Sequence, residues 1–74
     1  MTTQYAVWVT IETPHGTVQQ NALGMGTLVD GEDTARQFAQ GFIRTARGNP
    51  RVHIVPFCEH NNALDWSRKE LVSA

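Results

Sequence analysis

The amino-acid sequence predicts a small single domain of the α+β class, in which a three-stranded antiparallel sheet carries one amphipathic helix in the order ββαβ. Near its start, every second residue of the segment QYAVWVTIET is a large apolar or aromatic one, from Tyr5 to Ile11, and this period of two is typical of a strand. Further along, apolar residues between positions 35 and 46 recur at the spacings of three and four that are typical of an α-helix. With 74 residues, the chain is long enough for one domain, residues 1–74, and for one thin core.

The first predicted strand covers residues 4–13. One of its faces is wholly apolar and consists of Tyr5, Val7, Val9 and Ile11. The other face carries Ala6 and Trp8 before it turns polar. Because a strand that is apolar on both faces is usually buried on both sides, we expect this strand to be central in its sheet.

A second strand, antiparallel to the first, is predicted over residues 17–29, after a tight reversal at Pro14 and Gly16. Gly24 and Gly26 weaken this prediction and indicate a bulge or a bend. The segment contains no proline, so it is the better candidate for an edge strand that pairs with a strand of another molecule.

The helix is predicted over residues 30–49. Asp30 is the expected N-cap, and Glu32 and Asp33 place negative charge in the first turn, where the helix dipole favours it. The apolar face consists of Ala35, Phe38, Ala39, Phe42, Ile43 and Ala46. This face is expected to cover the apolar side of the first strand.

The helix is expected to end at Gly48 and Asn49, before Pro50. A third strand is then predicted over residues 51–59. It contains Pro56, which cannot donate a hydrogen bond to a neighbouring strand, so the third strand is expected at an edge. The predicted sheet order is therefore 2-1-3.

One helix covers one face of the sheet, so the second face needs another cover. We expect apolar residues of the first and third strands there, namely Ala6, Trp8, Val55 and Phe57. The segment 61–74, with Trp66, is expected to form either a docked short helix or a flexible tail. The alternatives are that a second copy of the chain or a different protein covers this face.

These patterns predict a non-enzymatic binding module that associates with a protein partner or forms a homodimer through its sheet. Tryptophan is enriched at the energetic centres of interfaces. The predicted partner-interface residues are Ala6, Trp8, Val55, Phe57 and Trp66. Pairing of an edge strand is a second way to form the same association.

The alternative function is nucleic-acid binding through a polar stripe on the helix. At about 100° per residue, four side chains that can contact phosphates and bases fall within one arc. They are Arg36, Gln40, Arg44 and Arg47. The formal net charge of −1 argues against this alternative, because nucleic-acid-binding domains are usually basic.

The third alternative is a small thiol- or metal-dependent enzyme. Cys58 and His60 lie two positions apart, with His53 and His15 elsewhere, but this spacing lacks the paired ligands of a zinc site. No third group is identified that would orient a thiol and a base. No catalytic residue, metal or cofactor is therefore predicted. One cysteine, no signal pattern and no membrane-spanning run lead us to expect a cytoplasmic protein with no membrane partner.

Overall fold

The computed structural model describes residues 3–24, 26–46 and 50–73. Within this part of the chain, one α-helix lies with a curled antiparallel sheet of six strands, so the prediction of a small α+β domain is confirmed. The prediction of three strands in a ββαβ arrangement is wrong, because three further short strands join the sheet. The elements are β1 (Gln4–Thr13), β2 (Gly16–Asn21), β3 (Val29–Asp30), α1 (Glu32–Thr45), β4 (Arg51–Cys58), β5 (Ala63–Leu64) and β6 (Glu70–Val72).

Strand β1 lies between two sets of antiparallel partners. On one side β2 pairs with its second half, with Trp8 opposite Asn21, and β3 pairs with its first residues, with Gln4 opposite Asp30. On the other side lies β4, with Val7 opposite Ile54. The outer side of β4 is itself paired, by β6 near the start of β4 and by β5 near its end.

The core lies between the sheet and α1. The fully buried residues of this cluster alternate along β1 and β4 and recur at helical spacing in α1, and they are Val7, Val9, Ala35, Ala39, Val52 and Ile54. The two alanines have no exposed surface, so the helix backbone lies close to the sheet. The second face of the sheet, which carries Trp8, points away from the helix.

The helix begins one position later than expected. Gly31, with a φ of 86°, is the N-cap, and the helix starts at Glu32. Asp30 belongs instead to β3, where its carboxylate accepts a hydrogen bond of 3.1 Å from the side chain of Gln4. The expected N-cap at Asp30 is therefore wrong, because pairing with β1 holds Asp30 in an extended conformation.

The helix ends at Thr45, and the N–H of Ala46 donates to the carbonyl of Phe42 over 2.8 Å. The expected C-terminal turn at Gly48 and Asn49 lies outside the described residues.

The predicted second strand is shorter than expected. Strand β2 ends at Asn21, and the chain then turns through Gly24 and Gly26, whose φ angles are 103° and 75°. Since side-chain-bearing residues rarely adopt such positive values, these glycines allow the turn. The chain rejoins the sheet only at β3, so one expected strand is replaced by two.

The expectation that Pro56 marks an edge strand is wrong. The carbonyl of Pro56 accepts a hydrogen bond of 2.8 Å from the N–H of Asp65, so the carbonyl points away from β1. The nitrogen of Pro56, which carries no hydrogen, points to the same outer side of β4. On this side Pro56 lies between the residues that pair with β6 and those that pair with β5. A proline here removes one hydrogen bond at a break between two partner strands, and β4 remains paired on both sides.

The C-terminal segment forms neither a short α-helix nor a tail between residues 63 and 72. It forms β5, a turn of 3₁₀ helix at Trp66–Arg68, and β6. Backbone pairing with β4 holds both strands, which explains why a segment with weak helical periodicity is ordered in an extended form.

Candidate protein-association surfaces

The second face of the sheet is partly covered by the C-terminal segment. The indole rings of Trp8 and Trp66 meet edge to face, with centroids 5.1 Å apart and planes at 86°. His53 lies opposite Trp8 on β4, and Leu71 lies opposite His53 on β6. The second face therefore carries a row of side chains that runs across β1, β4 and β6.

The five predicted interface residues are brought together on or beside this face, but they differ in accessibility. Ala6 and Val55 lie opposite each other and have no exposed surface, so neither side chain is accessible to a partner. Trp8 and Phe57 are half-buried. Trp66, with 42% of its surface exposed, is the member with the largest accessible area. Contact of these residues with a partner remains a prediction.

The outer edge of β2 is a second candidate surface. In the sheet order β2 is terminal and pairs with β1 alone among the described strands. The N–H of Ala22 donates to the carbonyl of Val7 over 2.8 Å, and this bond shows which residues of β2 direct their backbone N–H and C=O groups toward β1. These residues are Gly16, Val18 and Gln20. The backbone N–H and C=O groups of Thr17 and Gln19 point outward, away from the sheet.

The composition of β2 sets it apart from the other strands at the sheet margin. Its six residues, GTVQQN, carry no charge and no proline, and residues 13–29 contain no Asp, Glu, Lys or Arg. By contrast, β3 ends in Asp30, β6 begins with Glu70, and Asp65 follows β5; none of these strands is longer than 3 residues. Short length and charged side chains usually keep an edge strand from pairing with another chain, and β2 has neither feature.

An apolar groove on the helix side is a third surface. It has a volume of about 410 Å³ and lies between the helix and the turn after β2. Its lining residues are Ala22, Leu23, Gln37, Phe38, Gly41 and Phe42. Phe38, with 49% of its surface exposed, is expected on the buried helix face from its spacing but lies at the rim of this groove.

The predicted Arg stripe is partly neutralised. Arg36 donates to Glu32 and to Glu70, each over 2.8 Å. The hydrogen bond from Arg36 lowers the pKa of Glu32 below its usual range. Gln40 is half-buried and Arg44 is exposed in the last helical turn, while Arg47 lies outside the described residues. The arrangement therefore leaves Arg36 with little free positive charge for a phosphate.

His53 is the titratable group of the second face. Burial lowers its pKa below the ordinary value, and the positive charges of Lys69 and Arg51 act in the same direction. The neutral imidazole is therefore favoured in the folded protein.

The candidate thiol and metal residues do not converge within residues 3–24, 26–46 and 50–73. Cys58 is half-buried at the end of β4, and His60 is exposed in the following turn. Across that part of the chain, no group of three or more His, Cys, Asp or Glu side chains is placed to hold a metal ion. Within the same residues, no helix is long and apolar enough to cross a membrane.

Comparison with protein-family models, with curated proteins and with solved structures gives no significant match for this chain.

Proposed function

We propose that this chain is a non-enzymatic protein-association module that binds a partner strand along the outer edge of β2. The observation that carries the proposal is the contrast among the sheet margins. Strand β2 is six residues long, uncharged and unpaired on its outer side among the described strands, while β3, β5 and β6 are short and lie beside acidic residues. The partner is either another protein or a second copy of the chain.

The association adds a strand to the sheet. The outward N–H and C=O groups of Thr17 and Gln19 supply the backbone hydrogen bonds, and such bonds give affinity with little dependence on the partner's sequence. Val18, with 46% of its surface exposed, offers an apolar side chain at the centre of the same edge. The partner therefore needs an extended segment with an apolar residue at its middle.

The second face of the sheet and the Arg stripe of the helix have less support as binding surfaces. On the second face, Ala6 and Val55 are fully buried, and Trp66 already packs against Trp8. On the helix, Arg36 is paired with two glutamates, which weakens the nucleic-acid alternative.

The proposal is tested by selecting strand-forming peptides from a displayed random library on the immobilised protein. Gln19→Pro removes an outward N–H while leaving the hydrogen bonds between β1 and β2 in place, so we expect it to abolish peptide binding. Gln19→Thr keeps the N–H and a good strand propensity, and it is the matched control that should still bind.

Circular dichroism of both variants verifies that the fold is retained. Equal peptide binding by Gln19→Pro and the unaltered protein would overturn the proposal. So would failure of the library to yield any binder, together with a protein that stays monomeric at every concentration.

A further inference from the structure

We infer that the partner of β2 is the same strand of a second copy, in a symmetric antiparallel register centred on Val18. This inference rests on the proposed function, since it names the partner of the same edge. It is carried by the positions of the free backbone groups on β2 and by the absence of charge along this strand.

The outward groups of β2 are self-complementary. Thr17 and Gln19 each present one donor and one acceptor. If Thr17 of one copy lies opposite Gln19 of the other, an antiparallel pair uses all of these groups, and four hydrogen bonds form about a two-fold axis. Val18 of each copy then meets its counterpart on the axis at a non-hydrogen-bonded position, where Cα atoms are about 4.5 Å apart.

The neighbouring symmetric registers depend on backbone groups that already have a hydrogen-bond partner within the chain. A register centred on Gln19 places Thr17 opposite Asn21, whose carbonyl already accepts a hydrogen bond of 3.2 Å from Gly24. A register centred on Thr17 places Gln19 opposite His15, which lies in the hairpin turn and donates its N–H to the Thr13 side chain over 3.2 Å. The register centred on Val18 uses only groups that face outward from β2.

The chemistry of β2 also favours a second copy. A two-fold axis brings each side chain near its own duplicate, so a charged strand would repel itself. Residues 13–29 contain no Asp, Glu, Lys or Arg, so no such repulsion arises within this segment. Pairing covers both β2 edges and leaves the short margins beside acidic residues outermost, so the assembly closes at two copies.

The test is disulfide trapping in a Cys58→Ser background, which removes the single cysteine. Val18→Cys should form a covalent dimer under mild oxidation, because a Cα separation of about 4.5 Å suits a disulfide. Thr17→Cys and Gln19→Cys should not, because each lies roughly 9 Å from its duplicate in this register, beyond disulfide reach. Thr34→Cys, which is exposed on the helix and does not line the apolar groove, measures random collisional cross-linking.

Cross-linking of Val18→Cys well above the Thr34→Cys level, with Thr17→Cys and Gln19→Cys at that level, supports the inference. Preferential cross-linking of Thr17→Cys or Gln19→Cys would overturn the register. A monomeric protein that still binds displayed peptides through Gln19 would overturn the second copy as partner while leaving the proposed function intact. A monomer that binds no peptide would overturn both.

Discussion

Trp66, from the C-terminal segment, packs edge to face against Trp8 of the central strand, with ring centroids 5.1 Å apart. The contact joins the 3₁₀ turn between β5 and β6 to the second face of the sheet. The chain thereby covers part of the apolar surface that its first strand presents, which is why we propose the outer edge of β2, rather than this face, as the site of association.

Trp66→Ala should lower the free energy of unfolding by about 1–2 kcal/mol, because it removes an aromatic pair and part of the cover over Trp8. Urea titration measures the change, and the near-ultraviolet circular dichroism of the coupled indoles should weaken with it. Trp66→Phe keeps an aromatic ring in place, so we expect it to lower the free energy of unfolding by less than Trp66→Ala does. An unchanged urea midpoint for Trp66→Ala would show that the pair contributes nothing to stability.

The stability should depend on pH through His53. Its pKa is lower in the folded protein than the ordinary 6.5, because burial and the charges of Lys69 and Arg51 disfavour the imidazolium. The unfolded chain therefore binds more protons as the pH falls below 6.5, so this contribution to stability is present above that pH and is lost on acidification through the folded pKa.

Urea midpoints measured from neutral to mildly acidic pH should fall for the unaltered protein, with a smaller fall for His53→Gln. His15→Gln is the control, since His15 lies in the exposed hairpin turn. If His53→Gln shows the same pH dependence as the unaltered protein, the imidazole is not the responsible group.

The helix should not bind DNA appreciably. Glu32 and Glu70 hold Arg36, and the formal net charge of the chain is −1. We expect no retention on a DNA column at low salt, and no change in elution on Arg44→Glu. Retention that falls steeply with salt and is lost in Arg44→Glu would instead favour the nucleic-acid alternative, because phosphate contacts release counterions.

Strand β1 and helix α1 could be predicted because their signals are local. The alternation of Val7 and Val9 with Trp8, and the spacing of Ala35 and Ala39, are each complete within a few residues of sequence. The N-cap could not be predicted in the same way. Asp30 is a good capping residue, but pairing with Gln4, 26 positions earlier in the chain, holds it in β3.

The short strands could not be predicted because they have no periodicity of their own. β5 and β6 have two and three residues, and each exists through pairing with β4. Pro56 lacks an N–H on one side of β4 only, so it prevents one hydrogen bond and does not exclude a partner strand on that side. In the folded chain this position falls in the gap between β5 and β6, and β4 is therefore paired on both sides.

The candidate surfaces were predictable in part. The absence of proline and charge in β2 is visible in the sequence, and it indicates an edge strand that is open to pairing. The pairing of Arg36 with Glu70 is not visible, because the two residues are 34 positions apart and meet only when β6 joins the sheet. The burial of Ala6 and Val55 likewise depends on the folded arrangement around the second face.

Association through β2 is tested most directly by the molar mass from light scattering at two protein concentrations about 100-fold apart, a range suited to a weak interface. We expect the mass to rise from near 8.2 kDa toward twice that value for the unaltered protein. Val18→Lys should remain monomeric, because it sets two like charges on the two-fold axis.

Gln20→Lys is the matched control. It places the same charge on the same strand, but roughly 14 Å from its duplicate, where salt screens the repulsion. It should therefore dimerise like the unaltered protein, as should Phe38→Ser in the helix groove. A constant monomer mass for the unaltered protein, or a Val18→Lys variant that dimerises equally well, would contradict association through β2 of a second copy.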